Sequence, residues 1–297
     1  MIRYPEQVRI VEVSPRDGLQ SEEEILSLED KVEWIKGLVN CGYQAIEIGS
    51  LVNYKRVPQL QQTDKVFEAL RANNKHKNCQ FFVLIGNIKY LQLAIELGVK
   101  NVSLMCSASN TFSLKNSHRS LEESFIQLES MVKLCRQHNV FIRVYLSCSF
   151  DCPYEGEIAP SRVIQCVDRI LATGCDEISL ADTTGKATIL QIESSLTKCL
   201  DIIPAQHLAV HFHNTYLQAL ANTLLSLQLG VINIDTSVGG LGGCPFSPDP
   251  LAPADKGNLS TESLLFMLDG LNIQTGVDKQ KVETMKQRVF TLLKRLN

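Results

Sequence analysis

The run Leu208-Ala209-Val210-His211-Phe212-His213, the helical pattern from Leu217 to Leu229, Gly230, and a second strand candidate from Asn233 to Val238 together decide the fold. A near-continuous apolar run reads as a strand buried on both faces, the kind that parallel sheets use. A helix between two such strands is a strand–helix–strand unit, and Gly230 stands where that helix should end in a left-handed cap.

The same unit recurs along the chain. Strands are expected at Val8–Val13, Gln44–Ile48, Gln80–Leu84, Asn101–Met105, Phe141–Leu146, Glu177–Ala181, Leu208–His213 and Asn233–Val238. Helical patterns lie between them at Leu28–Asn40, Asp64–Asn73, Ile88–Leu97, Leu121–His138, Pro160–Thr173, Ala187–Leu200 and Leu217–Leu229, and Gly98 and Gly174 mark two further caps. Eight alternations favour an α/β TIM (β/α)8 barrel over an open sheet. A chain of 297 residues is long for an ordinary domain but suits one barrel, so residues 1–297 are expected to form a single catalytic domain. After strand eight the pattern changes to a Gly/Pro-rich loop, residues 239–258. Two extra C-terminal helices follow within 261–297, Thr261–Leu271 and Asp278–Leu296, the last expected outside the barrel or at a subunit contact.

Bulk numbers exclude several classes. Apolar residues make up 44% and charged residues 21%, which suits a soluble globular protein, and a net charge of −3 without a Lys/Arg-rich block argues against nucleic-acid binding. No apolar stretch approaches the ~18 to 20 residues of a membrane span. The start, Met1-Ile2-Arg3-Tyr4-Pro5-Glu6, lacks the marks of a signal or transit peptide, so a cytoplasmic location is expected. Ten cysteines scattered over a large domain read as reduced thiols, and the Cys148/Cys152 pair reads as packing.

Chemistry in such a barrel collects where strands end, at the C-terminal face. His211 and His213 alternate to one side of strand seven, about 7 Å apart along it, so two imidazoles could share a metal ion. Asp17, beyond strand one in Ser14-Pro15-Arg16-Asp17-Gly18, offers the carboxylate, and Asn258 an amide oxygen. This mixed set suits Mg²⁺ or Mn²⁺, with Zn²⁺, Co²⁺ and Fe²⁺ chemically admissible; the alternative is two histidines without a metal. Arg16 could stabilise a developing oxyanion, pair with Glu47 near the end of strand two, or do both. Asp182 could orient a ligand or cap the next helix. Cys244, in Gly239-Gly240-Leu241-Gly242-Gly243-Cys244-Pro245, could be carried by a lid as a proton-transfer thiol or fill a tight turn.

From about Val8 to about Gly276 the chain resembles the 3-hydroxy-3-methylglutaryl-CoA lyases. The resemblance rests on Glu12-Val13-Ser14-Pro15-Arg16-Asp17-Gly18-Leu19-Gln20, Val57-Pro58-Gln59, Cys152-Pro153-Tyr154-Glu155-Gly156, Glu177-Ile178-Ser179-Leu180-Ala181-Asp182-Thr183 and Gln218-Ala219-Leu220-Ala221-Asn222-Thr223-Leu224. Gly242-Gly243-Cys244-Pro245 and Gly257-Asn258-Leu259 complete it. It implies metal ligands at Asp17, His211, His213 and Asn258, a catalytic and substrate-binding Arg16, a lid thiol at Cys244, and active-site roles for His211, Glu47 and Asp182. The implied reaction cleaves a 3-hydroxyacyl-CoA to acetyl-CoA and a keto acid, acetoacetate for the usual substrate, in a homodimer that binds an acyl-CoA. Leucine breakdown and ketogenesis are both compatible settings.

Departures from the family pattern touch the substrate side. Phe212, Asn214, Leu217, Gly239 and Phe246 replace the usual residues, and the loop between Cys244 and Asn258 is longer, with Pro248, Pro250 and Pro253. Cys106-Ser107-Ala108-Ser109-Asn110-Thr111 also differs, so a related branched or longer acyl group is open. The related isopropylmalate and homocitrate synthases share a strand-one Arg-Asp and an HxH, but generally lack the Gly-Gly-Cys-Pro lid. A non-catalytic barrel acting as a binding module is the third reading.

Overall fold

The computed structural model describes residues 3–72, 78–243 and 257–295. Its frame is a closed barrel of eight parallel strands: β1 (Arg9–Glu12), β2 (Ala45–Leu51), β3 (Gln80–Ile85), β4 (Asn101–Ser107), β5 (Phe141–Ser147), β6 (Glu177–Asp182), β7 (Leu208–Phe212) and β8 (Asn233–Thr236). Each strand pairs with its neighbours in sequence, and β1 closes the ring on β8 from Arg9 opposite Asn233 to Glu12 opposite Thr236. Strands β2, β6, β7 and β8 are buried at every position, including polar residues such as Glu47, Glu177, Ser179 and Asp235.

Helices α1 (Leu28–Asn40), α2 (Thr63–Arg71), α3 (Ile88–Leu97), α4 (Asn110–Ser117), α5 (Leu121–Gln137), α6 (Pro160–Ala172), α7 (Ile189–Leu200) and α8 (Ala219–Gln228) follow the strands in turn, with two, α4 and α5, after β4. Ser27 caps α1 by accepting the Asp30 N–H, and Ser120 with Glu123 and Thr188 with Gln191 form capping boxes on α5 and α7. The apolar faces of these helices meet the outer side of the barrel, with Trp34, Leu38, Leu70, Val132, Val167 and Leu196 buried between the two layers.

Helices α9 (Thr261–Gly270) and α10 (Lys279–Leu292) complete the chain. Helix α10 lies outside the barrel against α1, burying Val282, Met285 and Val289. A Cβ at Gly37 would collide with the Met285 sulfur, so the glycine lets the two helices approach.

The alternation expected from the sequence is the one observed, with corrections at the edges. Strand β2 runs three residues past Ile48, to Leu51, and β8 stops two before Val238, where the backbone tightens into a turn. Helix α4 lies between strand four and Leu121, where no element was expected; Ser109 starts it by accepting the Phe112 N–H. A two-residue hairpin, Asp151–Cys152 against Gly156–Glu157, follows β5. Much of the loop 239–258 lies outside the described residues, including Cys244, Phe246, Pro248, Pro250 and Pro253. No helix among the described residues is long and apolar enough to cross a membrane.

Candidate metal centre and active-site cleft

After β1 the chain makes one wide turn, Ser14–Gly18, closed by the Gly18 N–H on the Val13 carbonyl at 3.2 Å. Pro15 presets its entry, and the turn points Arg16 and Asp17 over the C-terminal mouth of the barrel. Across the mouth, β7 delivers His211, while His213 lies just past the strand and bridges to Asn258. That bridge is set by the backbone: the Asn214 N–H donates to Gly257 O at 2.7 Å and the Leu259 N–H to Phe212 O at 2.9 Å.

Asp17, His211 and His213 converge, with one ligand atom from each lying within 4.8 Å of the others. The His Nε2 atoms are 3.2 Å apart, and Asp17 Oδ2 is 3.8 Å from His211 Nε2 and 3.7 Å from His213 Nε2. His213 Nδ1 is 3.0 Å from the carbonyl of Thr183, which can only accept, so in the neutral ring Nδ1 carries the proton and Nε2 is a lone pair. His211 Nδ1 meets the Asp235 carboxylate at 3.1 Å, with the same result. Two lone pairs and a carboxylate oxygen thus face one point.

Asn258 completes the ring. Its amide nitrogen donates to Asp17 Oδ2 at 2.8 Å and to Leu241 O at 2.9 Å, and its Oδ1 is buried with no hydrogen-bond partner among the described residues. An orphaned buried acceptor beside two imidazoles and a carboxylate suits a hard or borderline divalent cation, so the four residues fit the metal the sequence points to. Gly242 permits this approach, because a Cβ there would collide with Asn258 Nδ2, and its φ of 113° is one that other residues rarely adopt.

Arg16 is fixed on both sides, with Nε on Glu47 Oε2 at 2.5 Å and Nη1 on Asp17 Oδ1 at 2.5 Å, and its guanidinium carbon sits 5.6 Å from the Tyr145 ring centroid. Burial disfavours its charge, but Glu47 and Asp17 outweigh burial and hold Arg16 protonated. Burial also works against the Asp17 anion. The adjacent Arg16 charge outweighs burial and keeps that carboxyl well below the usual range. The salt-bridge reading of Arg16 and Glu47 and the cleft position of Arg16 therefore hold together.

The two other carboxylates differ. Asp182 has both oxygens committed to its own loop, Oδ1 to the Gly185 N–H at 3.0 Å and Oδ2 to the Ala187 N–H at 3.0 Å. Thr188 caps the next helix, so Asp182 closes the turn before it instead, and burial pushes its carboxyl up to about 6. Glu47, fully buried, uses Oε2 for Arg16 and leaves Oε1 without a partner among the described residues.

A cleft opens over these groups, lined by Arg16, Asp17, Gln20, Leu84, Met105, Phe112, Asn116, Tyr145, Ser147, Ala181, Thr183, His211, His213 and Gly243. Sequence reading missed Tyr145, whose buried hydroxyl has no partner among the described residues and whose ring meets His211 edge-on at 5.6 Å. It also missed Asp235, although an Asp inside the buried run Asn233-Ile234-Asp235-Thr236 was a signal. The Cys148/Cys152 pair is buried, and the Cys152 thiol lies 3.0 Å from Ser109 Oγ. A hydrogen bond with Cys148 is the main cause lowering the Cys152 pKa to about 6. The nine cysteines among the described residues are free thiols.

The HMGL-like family model matches residues 7–289 of this chain. The chain belongs to the HMGL-like family. It is 43% identical over 282 residues to hydroxymethylglutaryl-CoA lyase, mitochondrial, of Macaca fascicularis, covering 95% of this chain and 84% of that one. To 3-hydroxy-3-methylglutaryl-CoA lyase, cytoplasmic, of Danio rerio it is 44% identical over 280 residues, covering 94% and 81%. Among solved structures, hydroxymethylglutaryl-CoA lyase of Pseudomonas aeruginosa superposes with a TM-score of 0.91 at 38% identity, covering 98% of this chain and 94% of the other. An HMGL-like chain with this barrel carries the Arg-Asp turn, the two histidines and the amide on one face.

Proposed function

We propose that the protein is a divalent-metal-dependent carbon–carbon lyase that cleaves 3-hydroxy-3-methylglutaryl-CoA, or a closely related 3-hydroxyacyl-CoA, to acetyl-CoA and acetoacetate or the related keto acid. The observation that carries the reading is the convergence of Asp17 and two imidazole Nε2 lone pairs beside a buried, doubly anchored Arg16. The close relatives named as lyases of this substrate point the same way.

Asp17, His211, His213 and Asn258 would hold the metal, with Mg²⁺ or Mn²⁺ best suited to the donor set. Bound there, the ion would act as a Lewis acid toward substrate oxygens. The C3 hydroxyl loses its proton to a base; of the candidates only His211 lines the cleft, and it can accept a proton only while its Nε2 is not engaged by the metal, whereas Glu47 and Asp182 lie outside the lining and can only assist. The C3 oxygen then forms a carbonyl as the C2–C3 bond breaks, and the electron pair moves onto C2 and the thioester oxygen as an enolate. Arg16, a permanent cation already paired and desolvated, stabilises that charge without reorganising. A proton delivered to C2 gives the acetyl methyl group, and Cys244 on the 239–258 loop is the thiol assigned to this transfer. Met105, Phe112 and Leu84 supply apolar wall for the acyl group. The enzyme acts as a cytoplasmic homodimer on an acyl-CoA, in leucine breakdown or in ketogenesis.

The test is to incubate purified protein with 3-hydroxy-3-methylglutaryl-CoA and Mg²⁺ or Mn²⁺ and to measure acetyl-CoA and acetoacetate. Equimolar products that vanish with EDTA and return with metal are expected. Condensation of acetyl-CoA with a 2-keto acid would favour the synthase reading, and metal binding without turnover of any related acyl-CoA would favour a binding module.

A further inference from the structure

We propose that Asp235 is a positioning residue that holds the His211 imidazole with its proton on Nδ1, so that Nε2 presents a lone pair to the metal site. The inference rests on reading Asp17, His211 and His213 as that site.

Asp235 lies in the interior of β8, 1% exposed along its side chain, and its two oxygens face different partners. Oδ2 is 3.1 Å from His211 Nδ1, and Oδ1 is 2.5 Å from Arg143 Nη2. Arg143 is fully buried and continues inward, with Nε 3.0 Å from Glu177 Oε1, and Glu177 Oε2 takes Arg9 Nη1 at 2.8 Å. A chain of alternating charges, Arg9, Glu177, Arg143 and Asp235, therefore runs through the barrel interior and ends on a ring that faces the cleft. Buried charges are costly unless paired, and each carboxylate here has a cation beside it. Arg143 fixes the Asp235 carboxylate, and the carboxylate fixes the imidazole, which is how outer partners commonly orient metal-binding histidines.

The arrangement makes Asp235→Asn informative. Arg143 has no acceptor atom, so it claims the single oxygen of the new amide. The amide nitrogen is then turned toward His211 Nδ1, which must accept, and the ring proton moves to Nε2, the atom that should face the metal.

Two readouts separate positioning from general stability. Nitrogen-15 NMR of the metal-free protein should show His211 as the Nδ1–H tautomer in the wild type and the Nε2–H tautomer in Asp235→Asn. Mn²⁺ titration followed by EPR should show affinity lower by about 10- to 100-fold in the variant. Because Asp235→Asn leaves Arg143 short of a counter-charge, a second variant, Asp235→Leu with Arg143→Met, removes the buried pair together. It too should lose Mn²⁺ affinity, since Nδ1 is left without an acceptor. Wild-type tautomer and affinity in either folded variant would overturn the inference alone. Failure of the wild type itself to bind Mn²⁺ would instead remove the metal reading and the inference with it.

Discussion

At the scale of single residues, the proposed reaction places the heaviest catalytic demand on Arg16. It is held at 2.5 Å by both Glu47 and Asp17, so its charge is in place before substrate arrives. Removing one such preorganised donor costs about 3 to 4 kcal/mol of barrier. Arg16→Ala should therefore lower kcat by about 10²- to 10³-fold and should be more damaging than Cys244→Ser, with both measured by acetyl-CoA release under saturating metal. Near-wild-type turnover by Arg16→Gln would contradict the role. Asn258→Ala tests a different atom, because it removes the orphaned Oδ1 while leaving the Arg16 ion pairs intact. Mn²⁺ affinity should fall while the melting temperature shifts little, and unchanged affinity measured by calorimetry would take Asn258 out of the ligand set.

Between elements, Glu12 is the tie that holds the mouth of the barrel. From the end of β1 it accepts the Ser14 N–H at 3.0 Å, the Val238 N–H at 2.9 Å and the Thr261 hydroxyl at 2.9 Å, joining the Arg16–Asp17 turn to the loop after β8 and to α9. Burial pushes its carboxyl up to about 7 from an ordinary 4.5, against those hydrogen bonds. A raised folded pKa means that this group's contribution to stability is complete below about 4.5 and is lost as pH rises through about 7. Thermal melts should show Glu12→Gln gaining on the wild type as pH rises across that window, and parallel curves would refute the assignment. Outside the barrel, α10 depends on Val282, Met285 and Val289 against α1. Val289→Ala should cost roughly 1 to 2 kcal/mol in denaturant melts through lost burial and a small cavity, without touching kcat. The strands and most helices were legible in the sequence because runs such as Leu208-Ala209-Val210 in β7 and Phe81-Phe82-Val83-Leu84-Ile85 in β3 are apolar throughout and alternate with segments of helical period. Helix α4 was not, since Asn110-Thr111-Phe112-Ser113-Leu114-Lys115-Asn116-Ser117 has too little apolar periodicity to stand out from a loop.

For the molecule as a whole, the site is assembled from turns after β1 and β7, interior positions of β2, β5 and β8, and the segment around Asn258. The sequence motifs supplied Arg16, Asp17, His211, His213 and Asn258, because each sits in a local pattern with a chemical meaning. Tyr145, Arg143 and Asp235 escaped notice because their roles depend on barrel closure, which brings residues of β5 and β8 against His211. Asp182 showed the opposite limit: its motif drew attention to it, while only the folded loop reveals that Gly185 and Ala187 occupy both its oxygens. The central claim, a metal-dependent lyase, is tested most directly by one assay of the metal-stripped protein. With 3-hydroxy-3-methylglutaryl-CoA alone it should be silent, and addition of Mg²⁺ or Mn²⁺ should release acetyl-CoA and acetoacetate in equal amounts. Cleavage that proceeds equally well without metal, or a metal-loaded protein that cleaves no related 3-hydroxyacyl-CoA, would contradict it.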